Sequence, residues 1–174
     1  MLIAMSKHSK ATPQHPSGAP VRGAGVITER EHDPYRTDQK LPEPTACPEC
    51  HASYQDGRWG WASAPKFANK ELCPACRRIR DRFPAGWVTI EGEFFREHRD
   101  ELMQLVNHHA EHAKKEHALQ RIIDVENSDD GVVLTTTDMH LARGIAQALY
   151  NAYRGDLHFR YNEGQTLLRA YWKR

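Results

Sequence analysis

Two C-x-x-C pairs constrain the fold of this chain more than any other sequence feature. Cys47 and Cys50 form the first pair, Cys73 and Cys76 form the second, and residues 51 to 72 lie between them. A two-residue gap lets both thiolates of a pair reach one tetrahedral ion at about 2.3 Å. The spacing therefore predicts a structural Zn²⁺ site with four thiolate ligands, and a zinc ribbon around it.

Other uses of these cysteines are less consistent with the sequence. Disulfides need an oxidising compartment, and the apolar run of residues 1 to 5 is too short for a signal peptide. Thioredoxin-like chemistry needs a single pair. Iron of the rubredoxin type binds the same four thiolates, but glycine usually follows the second cysteine of such a knuckle, where His51 and Arg77 stand here. Zinc is the predicted ion, iron is the alternative, and His51 is a candidate substitute ligand.

The length of the chain leaves room for one ordinary domain beside the metal module. The chain has 174 residues, a mean hydropathy of −0.76, and no apolar window approaching the roughly 18 residues of a membrane span. We expect a soluble protein in the reducing cytoplasm, without a membrane partner. The predicted division is a disordered or extended tail over residues 1–45, a zinc ribbon over 46–83 and an α+β domain over 84–174.

The N-terminal tail has the composition of a disordered segment. It is rich in Pro, Ser, Gly, Ala and Thr and has no apolar run that could form a core face. In its second half, Pro42 and Pro44 favour extended backbone. That half either lies along the folded body or a partner, or is a plain linker.

The ribbon itself is basic and carries aromatic residues. Gly57 and Gly60 favour a short hairpin between the knuckles, and residues 46 to 82 hold seven Lys or Arg against four Asp or Glu, a net charge of +3. Guanidinium groups beside aromatic rings are typical of surfaces that bind phosphates and bases. The alternative is a small tryptophan core with solvated arginines. The candidate nucleic-acid contacts are Arg58, Trp59, Trp61, Lys66, Arg77, Arg78 and Arg80.

After residues 84 to 86 the hydrophobic pattern predicts strands and helices in alternation. Strands are expected at 87–91, 119–125, 132–136, 157–161 and 166–172, and helices at 94–115 and from an N-cap at Thr137 or Asp138 to about Tyr153. Arg121 stands among the apolar residues of the second strand as an amphipathic exception. The order β-α-β-β-α-β, with one added strand, predicts a ferredoxin-like domain, an antiparallel sheet with two helices on one face.

Charge is segregated along this second region. Residues 86 to 131 carry eleven acidic and five basic side chains, whereas residues 154 to 174 carry five basic and two acidic ones. The basic ribbon and the basic C-terminal hairpin are expected to form one anion-facing side, with the acidic helix turned elsewhere.

Enzymatic activity is not predicted. His108 and His112 have the i, i+4 spacing of metal ligands, yet the H-E-x-x-H motif is absent. A second metal at these two residues is therefore a hypothesis beside the simpler interpretation of a solvated helix face. Nucleotide-binding and nucleophile motifs such as G-x-x-x-x-G-K-[ST], G-x-G-x-x-G and G-x-S-x-G are also absent, and no small-molecule substrate is evident.

Several short motifs are spread from about residue 29 to the end of the chain. They are His32-Asp33-Pro34-Tyr35, Leu41-Pro42-Glu43-Pro44-Thr45, the two knuckles, Gly57-Arg58-Trp59, Cys76-Arg77-Arg78-Ile79, Pro84-Ala85-Gly86, Glu116-His117, Thr136-Thr137-Asp138 and His140-Leu141-Ala142-Arg143. Together these motifs resemble a small bacterial zinc-ribbon family encoded in a low-oxygen-activated gene cluster. The resemblance implies an association with stress or anoxia and no settled biochemical activity.

A second resemblance concerns the knuckles and the α/β domain that follows them. This order is similar to the zinc-bearing part of the large-ribosomal-subunit export adaptor family, which carries more knuckles than this chain. Taken with the basic ribbon, the two resemblances imply a non-enzymatic, low-oxygen stress factor that associates with RNA or the ribosome. The alternative is a regulatory module that docks an enzyme of anaerobic metabolism through the acidic helix or the tail.

Overall fold

The computed structural model describes residues 34–35, 40–162, 164 and 166–174. The predicted disorder of residues 1–33 and 36–39 lies outside these ranges. Within them the chain is mixed α+β, with two sheets and four helices. No helix in the described ranges combines the length and the apolar character needed to cross a membrane.

The first sheet and helix α1 surround the cysteines. The strands are β1 (Thr45–Ala46), β2 (Ser53–Gln55), β3 (Arg58–Gly60) and β4 (Asn69–Lys70), in the order β3-β2-β1-β4, and α1 spans Pro74–Asp81. The predicted hairpin is β2–β3, which turns through Asp56 and Gly57, both at positive φ.

The described part of the tail lies along this module. The Tyr35 ring packs 5.3 Å from the ring of Phe83, and its hydroxyl donates to Asp81 over 2.9 Å. Glu43 accepts hydrogen bonds from the backbone N–H groups of Asp56 and Gly57 at the hairpin turn. Of the two interpretations of the tail's second half, these contacts favour docking on the folded body.

The second module contains the larger of the two hydrophobic cores. Its elements are β5 (Gly86–Glu91), α2 (Glu93–Glu97), α3 (Arg99–Glu116), β6 (Ile122–Ser128), β7 (Gly131–Thr136), α4 (Met139–Tyr153), β8 (Asp156–Tyr161) and β9 (Leu168–Lys173). Both long helices bury apolar stripes against the sheet, Leu102 and Val106 from α3 and Ile145 and Leu149 from α4. The predicted N-cap is confirmed, because Asp138 Oδ1 accepts from the N–H groups of His140 and Leu141 at 2.8 and 3.1 Å.

The sheet order is β6-β7-β5-β9-β8, and the expectation of a purely antiparallel sheet is wrong at one pair. Strand β9 runs parallel to β5, from Gly86 opposite Leu168 to Glu91 opposite Lys173. The chain leaves α4 into the edge strand β8 and reverses through a hairpin, so the added strand is inserted beside β5. That reversal gives β9 the direction of β5.

Two predicted elements have different bounds. The helix expected over 94–115 is broken at His98, whose φ of −117° and ψ of 26° are not helical. The strand expected over 119–125 begins only at Ile122, and a register shift between Ile122 and Asp124 moves the apolar positions. Ile122 packs on the core. Val125, which the strand pattern places on the buried side, is exposed.

Candidate metal centre

The four cysteine side chains meet at one point. Their sulfur atoms all lie within 4.8 Å of one another, and the Sγ atoms of Cys50 and Cys73 are 3.7 Å apart. A regular tetrahedron with arms of about 2.3 Å has edges of about 3.8 Å, whereas a disulfide would need about 2.05 Å. The cysteines are free, and their arrangement fits a four-thiolate metal ion, either zinc or iron.

The two knuckles reach this arrangement by different local structures. In the first, the His51 N–H donates to the carbonyl of Cys47 over 3.0 Å, and His51 adopts a left-handed φ of 65°. In the second, Cys73 caps helix α1, and the Cys76 N–H donates to its Sγ over 3.4 Å. Glycine would suit the left-handed position of His51 best. The corresponding position in the second knuckle, Arg77, lies in helix α1 and does not require glycine. The His51 side chain is exposed and is not in the group of metal-ligating side chains.

Arg121 reaches the cysteines from the other module. Its Nη2 lies 3.0 Å from Cys50 Sγ and 3.7 Å from Cys73 Sγ, and its Nη1 lies 3.3 Å from Cys76 Sγ. The carbonyl of Ala118 holds the guanidinium in place by accepting from Nε and Nη2 at 2.9 and 2.8 Å. Four thiolates around a divalent ion leave a net charge of −2, which the Arg121 cation partly offsets.

Burial and these hydrogen bonds separate the pKa values of the thiols. Burial raises the pKa of Cys73 to about 11, although the backbone N–H of Cys76 favours its thiolate. Burial also raises the pKa of Cys76, against the hydrogen bond from Arg121. At Cys47 burial acts in the same direction, but backbone N–H groups outweigh it and the pKa falls to about 7. The pKa of Arg121 is raised, since its bonds to Cys50 and Cys76 outweigh desolvation. Metal binding would therefore displace protons from the deepest thiols.

The module contact extends to Trp61. Its indole Nε1 donates to the carbonyl of Lys114 near the end of α3 over 2.6 Å, and the Arg121 guanidinium carbon lies 5.6 Å from its ring centre. Leu119 packs against the cysteine cluster from the same side. Trp61, Arg121 and Leu119 thus join the metal centre to the second module.

Of the seven candidate nucleic-acid contacts, Trp61 lies at the contact with the second module, and the other six divide into an outer and an inner set. Arg58, Lys66 and Arg80 are exposed, which makes them the outer basic set. Trp59 packs against the cysteine cluster, and Arg77 forms an ion pair with Glu71. Arg78 is only 3% exposed and donates to the carbonyl of Phe83.

A cleft of about 390 Å³ opens between the two modules. Trp59, Tyr54 and Arg77 line it from the ribbon, and Thr137 and His140 line it from the start of α4. The rings of Tyr54 and Trp59 pack against each other on the ribbon side, with their centres 5.7 Å apart. The cleft brings Arg77 and Trp59 together, whereas Lys66 and Arg80 lie outside its lining.

The histidines of α3 do not assemble a second site in the described part of the chain. Among the described residues, one group of at least three His, Cys, Asp or Glu side chains is close enough to share an ion, and it consists of the four cysteines. His112 lies 3.8 Å from Glu116 on an exposed helix face. His109 instead turns towards α4, where a Cβ on Gly144 would stand 2.5 Å from its Nε2.

Sequence reasoning missed Arg121 as a neighbour of the metal. The sequence did contain a signal for this contact, because Arg121 occupies a position of the expected strand that alternation assigns to an apolar residue. A charged side chain at a buried position needs a partner of opposite charge. Nothing in the local pattern identified the thiolates as that partner.

Comparison with known proteins finds no match to this chain among protein-family models, curated proteins or solved structures. The relation to the low-oxygen family and to the ribosomal adaptor stays a prediction.

Proposed function

We propose that this protein is a non-enzymatic, zinc-stabilised factor that binds RNA, with the ribosome of oxygen-starved cells as its target. The observation that carries the proposal is the outer basic set of the ribbon. Arg58, Lys66 and Arg80 are exposed on a small module whose buried residues surround the metal site. A rigid scaffold that presents guanidinium and ammonium groups suits phosphate contacts, which supply most of the affinity in nucleic-acid binding.

The ion in this proposal is structural zinc at Cys47, Cys50, Cys73 and Cys76. Bound zinc would supply the folding free energy that a module of this size cannot obtain from apolar burial. The buried residues packed around the cysteines are few, and Ala75 is one of them. The cysteines therefore hold the basic surface in shape and take no part in the contact with RNA.

The second module supports this platform. We propose that it is a ferredoxin-like domain with one inserted strand, because β5 and β6 run parallel on either side of β7, as in a split βαβ unit. The bond from Arg121 to Cys50 and the bond from Trp61 to Lys114 fix the ribbon relative to the sheet. Cytoplasmic location belongs to the same proposal, since reduced thiolates are needed for the metal.

Salt-dependent RNA binding tests the proposal. Fluorescence anisotropy with a labelled ribosomal RNA fragment should show affinity falling about 20- to 40-fold between 50 and 200 mM salt if three phosphates are contacted. The variant Arg58→Gln/Lys66→Gln/Arg80→Gln should lose most of this dependence. A matched variant, Arg96→Gln/Arg99→Gln/Lys115→Gln, removes the same charge from α2 and α3 and should bind like the parent protein.

Capture from oxygen-starved cells, with and without nuclease, provides the cellular test. Recovery of ribosomal components that nuclease abolishes is the expected result. Equal RNA binding by the two triple variants, or sedimentation of the protein away from ribosomes, would contradict the proposal.

A second candidate is a regulatory module that docks a protein of anaerobic metabolism. The observation that favours it is a shallow depression of about 500 Å³ on α3, lined by Asp100, Met103, Gln104, Asn107, His108 and Glu111. Nuclease-resistant capture of one enzyme, lost on Glu111→Lys and kept in the ribbon triple variant, would support this candidate over RNA binding.

A further inference from the structure

The five-stranded sheet has two faces, and its helices cover one of them. On β5, Val88 and Ile90 are buried under the helices, whereas Trp87 and Thr89 alternate with them and lie on the opposite face. On β9, Leu168, Ala170 and Trp172 are likewise buried, while Arg169 and Tyr171 alternate with them. We call this opposite side of β5, β8 and β9 the open face. None of its residues on β8 and β9 is buried.

Strand register places the side chains of the open face in rows. Trp87 is paired with Arg169, which is paired in turn with Arg160 on β8. The next row contains Thr89, Tyr171 and His158. Aromatic and basic side chains therefore occupy adjacent positions on neighbouring strands.

The first row carries a guanidinium on an aromatic ring. The Arg169 guanidinium carbon lies 4.2 Å from the centre of the Trp87 ring. Tyr171 follows two residues later on the same strand and is 37% exposed. Both a phenol ring and a guanidinium plane are surfaces on which an unpaired base can stack.

The spacing of these two groups selects for unstacked bases. Residues two apart on a strand are separated by about 6.6 Å, which is twice the spacing of about 3.4 Å between stacked bases. Consecutive bases resting on Arg169 and Tyr171 would be splayed apart. Splayed bases are available in single-stranded RNA and not in a duplex.

Charge decides which part of the sheet a nucleic acid would follow. On the open face, Arg160, Arg169 and Lys173 outnumber Glu91 and Asp156, the two acids that flank Lys173 in its row. At the other end of the sheet, β6 carries the exposed acids Asp124 and Glu126, paired with β7 positions of the same face. A phosphate backbone would be attracted to the first region and repelled from the second.

We propose that the open face binds single-stranded RNA, with consecutive bases on Arg169 over Trp87 and on Tyr171, and with phosphates at Arg160 and Lys173. The inference rests on the proposed function for its ligand class. It adds a surface separate from the ribbon and specifies an unpaired strand.

The test uses the full-length, zinc-loaded protein and a labelled 12-nucleotide oligouridylate, whose bases are largely unstacked, with a 12-base-pair RNA duplex as competitor. Tyr171→Ser should weaken binding of the single strand about 10-fold. The matched control is Tyr161→Ser, since Tyr161 is 41% exposed on the same hairpin but belongs to the helix-facing rows, opposite Leu168. Arg169→Gln should weaken binding because the stacking surface over Trp87 is lost, and the duplex should compete poorly.

The outcomes separate this inference from the ribbon's role. If the ribbon triple variant abolishes binding while Tyr171→Ser and Arg169→Gln bind like the parent protein, the open-face site is refuted and the ribbon proposal stands. If both open-face variants lose affinity and the ribbon variant does not, the open-face site stands and the ribbon proposal is refuted. Duplex binding as tight as single-strand binding, or no binding of the oligonucleotide, would overturn the inference.

Discussion

The Arg121 guanidinium donates a hydrogen bond over 3.0 Å to the Sγ atom of Cys50, which is 71 positions earlier in the chain. Arg121 belongs to the loop that leads into β6, and Cys50 closes the first knuckle. A positive charge from one module is thereby placed against the thiolates of the other. If the cysteines hold a metal ion, this contact would couple its retention to the docking of the two modules.

Replacing Arg121 with glutamine should weaken metal binding. The variant loses the cation that offsets the −2 charge of the centre, and replacement of such a supporting group commonly costs 10- to 100-fold in metal affinity. Competition with a chromophoric chelator measures this directly. Arg99→Gln is the matched control, because Arg99 donates to Asn127 on the exposed surface and touches no thiolate. Equal metal affinities in both variants would show that Arg121 does not support the centre.

Replacing Cys73 with alanine should unfold the ribbon and leave the second module folded. Cys73 is fully buried, caps α1 and supplies one of the four sulfurs, whereas the larger core is built from residues of β5 to β9 and their helices. Indole N–H signals in an NMR spectrum separate the two modules, since Trp59 lies in the ribbon and Trp172 in the larger core. Loss of the Trp59 signal with retention of the Trp172 signal is expected. Chelator treatment of the parent protein should give the same pattern, and simultaneous loss of both signals would mean that the modules fold as one unit.

Replacing Gly131 with alanine should destabilise the sheet by about 2 to 4 kcal/mol. A Cβ at this position would stand 1.9 Å from the carbonyl oxygen of Ile90, a backbone atom that cannot move without breaking the β5–β7 pairing. Gly60→Ala is the control, because its Cβ would meet nothing within 4 Å, and it should change stability by no more than about 0.5 kcal/mol. Urea unfolding measures both variants, and similar midpoints for the two would contradict the β5–β7 register.

Acidification should destabilise the native state partly through His109. Burial lowers the pKa of His109, and the neighbouring imidazoles of His112 and His108 lower it further. Because the folded pKa is below the unfolded one, the stabilising contribution is complete above the unfolded value of about 6.5. It is lost as the pH falls through the folded pKa, with a slope below about 1.4 kcal/mol per pH unit for one partly exposed group.

The His109→Gln variant isolates this contribution. Protonation of the thiolates affects the parent protein and the variant alike, so the difference between their unfolding free energies at pH 7.5 and 5.5 reports on His109. The parent protein should lose more stability than the variant over this range. Identical pH profiles would assign the acid sensitivity to other groups.

Local sequence patterns predicted much of the fold. Alternation in β5, β8 and β9, the stripe and N-cap of α4, and a turn at Gly57 are all local signals, and each element lies where its pattern does. Gly60, the other expected turn glycine, instead ends β3. The break at His98 was not predicted, because the helical periodicity continues across it. The late start of β6 was not predicted either, because apolar residues precede Ile122. In both places tertiary packing decided the bounds.

The candidate site was predictable in its ligands and not in its surroundings. The two C-x-x-C pairs predicted the cluster of four cysteines, which could hold a metal ion, because the spacing within each knuckle is a local property of the backbone. The basic character of the ribbon was equally visible in the sequence. The sequence did not show how the three arginines of one short helix differ. Arg78 is buried, Arg77 is paired with Glu71, and Arg80 is exposed.

The sequence by itself thus determined the grouping of the four cysteines and the α+β character of the chain, since both follow from spacing and periodicity over a few residues. Only the tertiary structure decided that β9 is inserted parallel to β5, that Arg121 supports the thiolates, and that Trp87, Arg169 and Tyr171 share the open face. These relationships join residues far apart in the chain. They follow from the packing of two modules and the register of a mixed sheet, which no local pattern encodes.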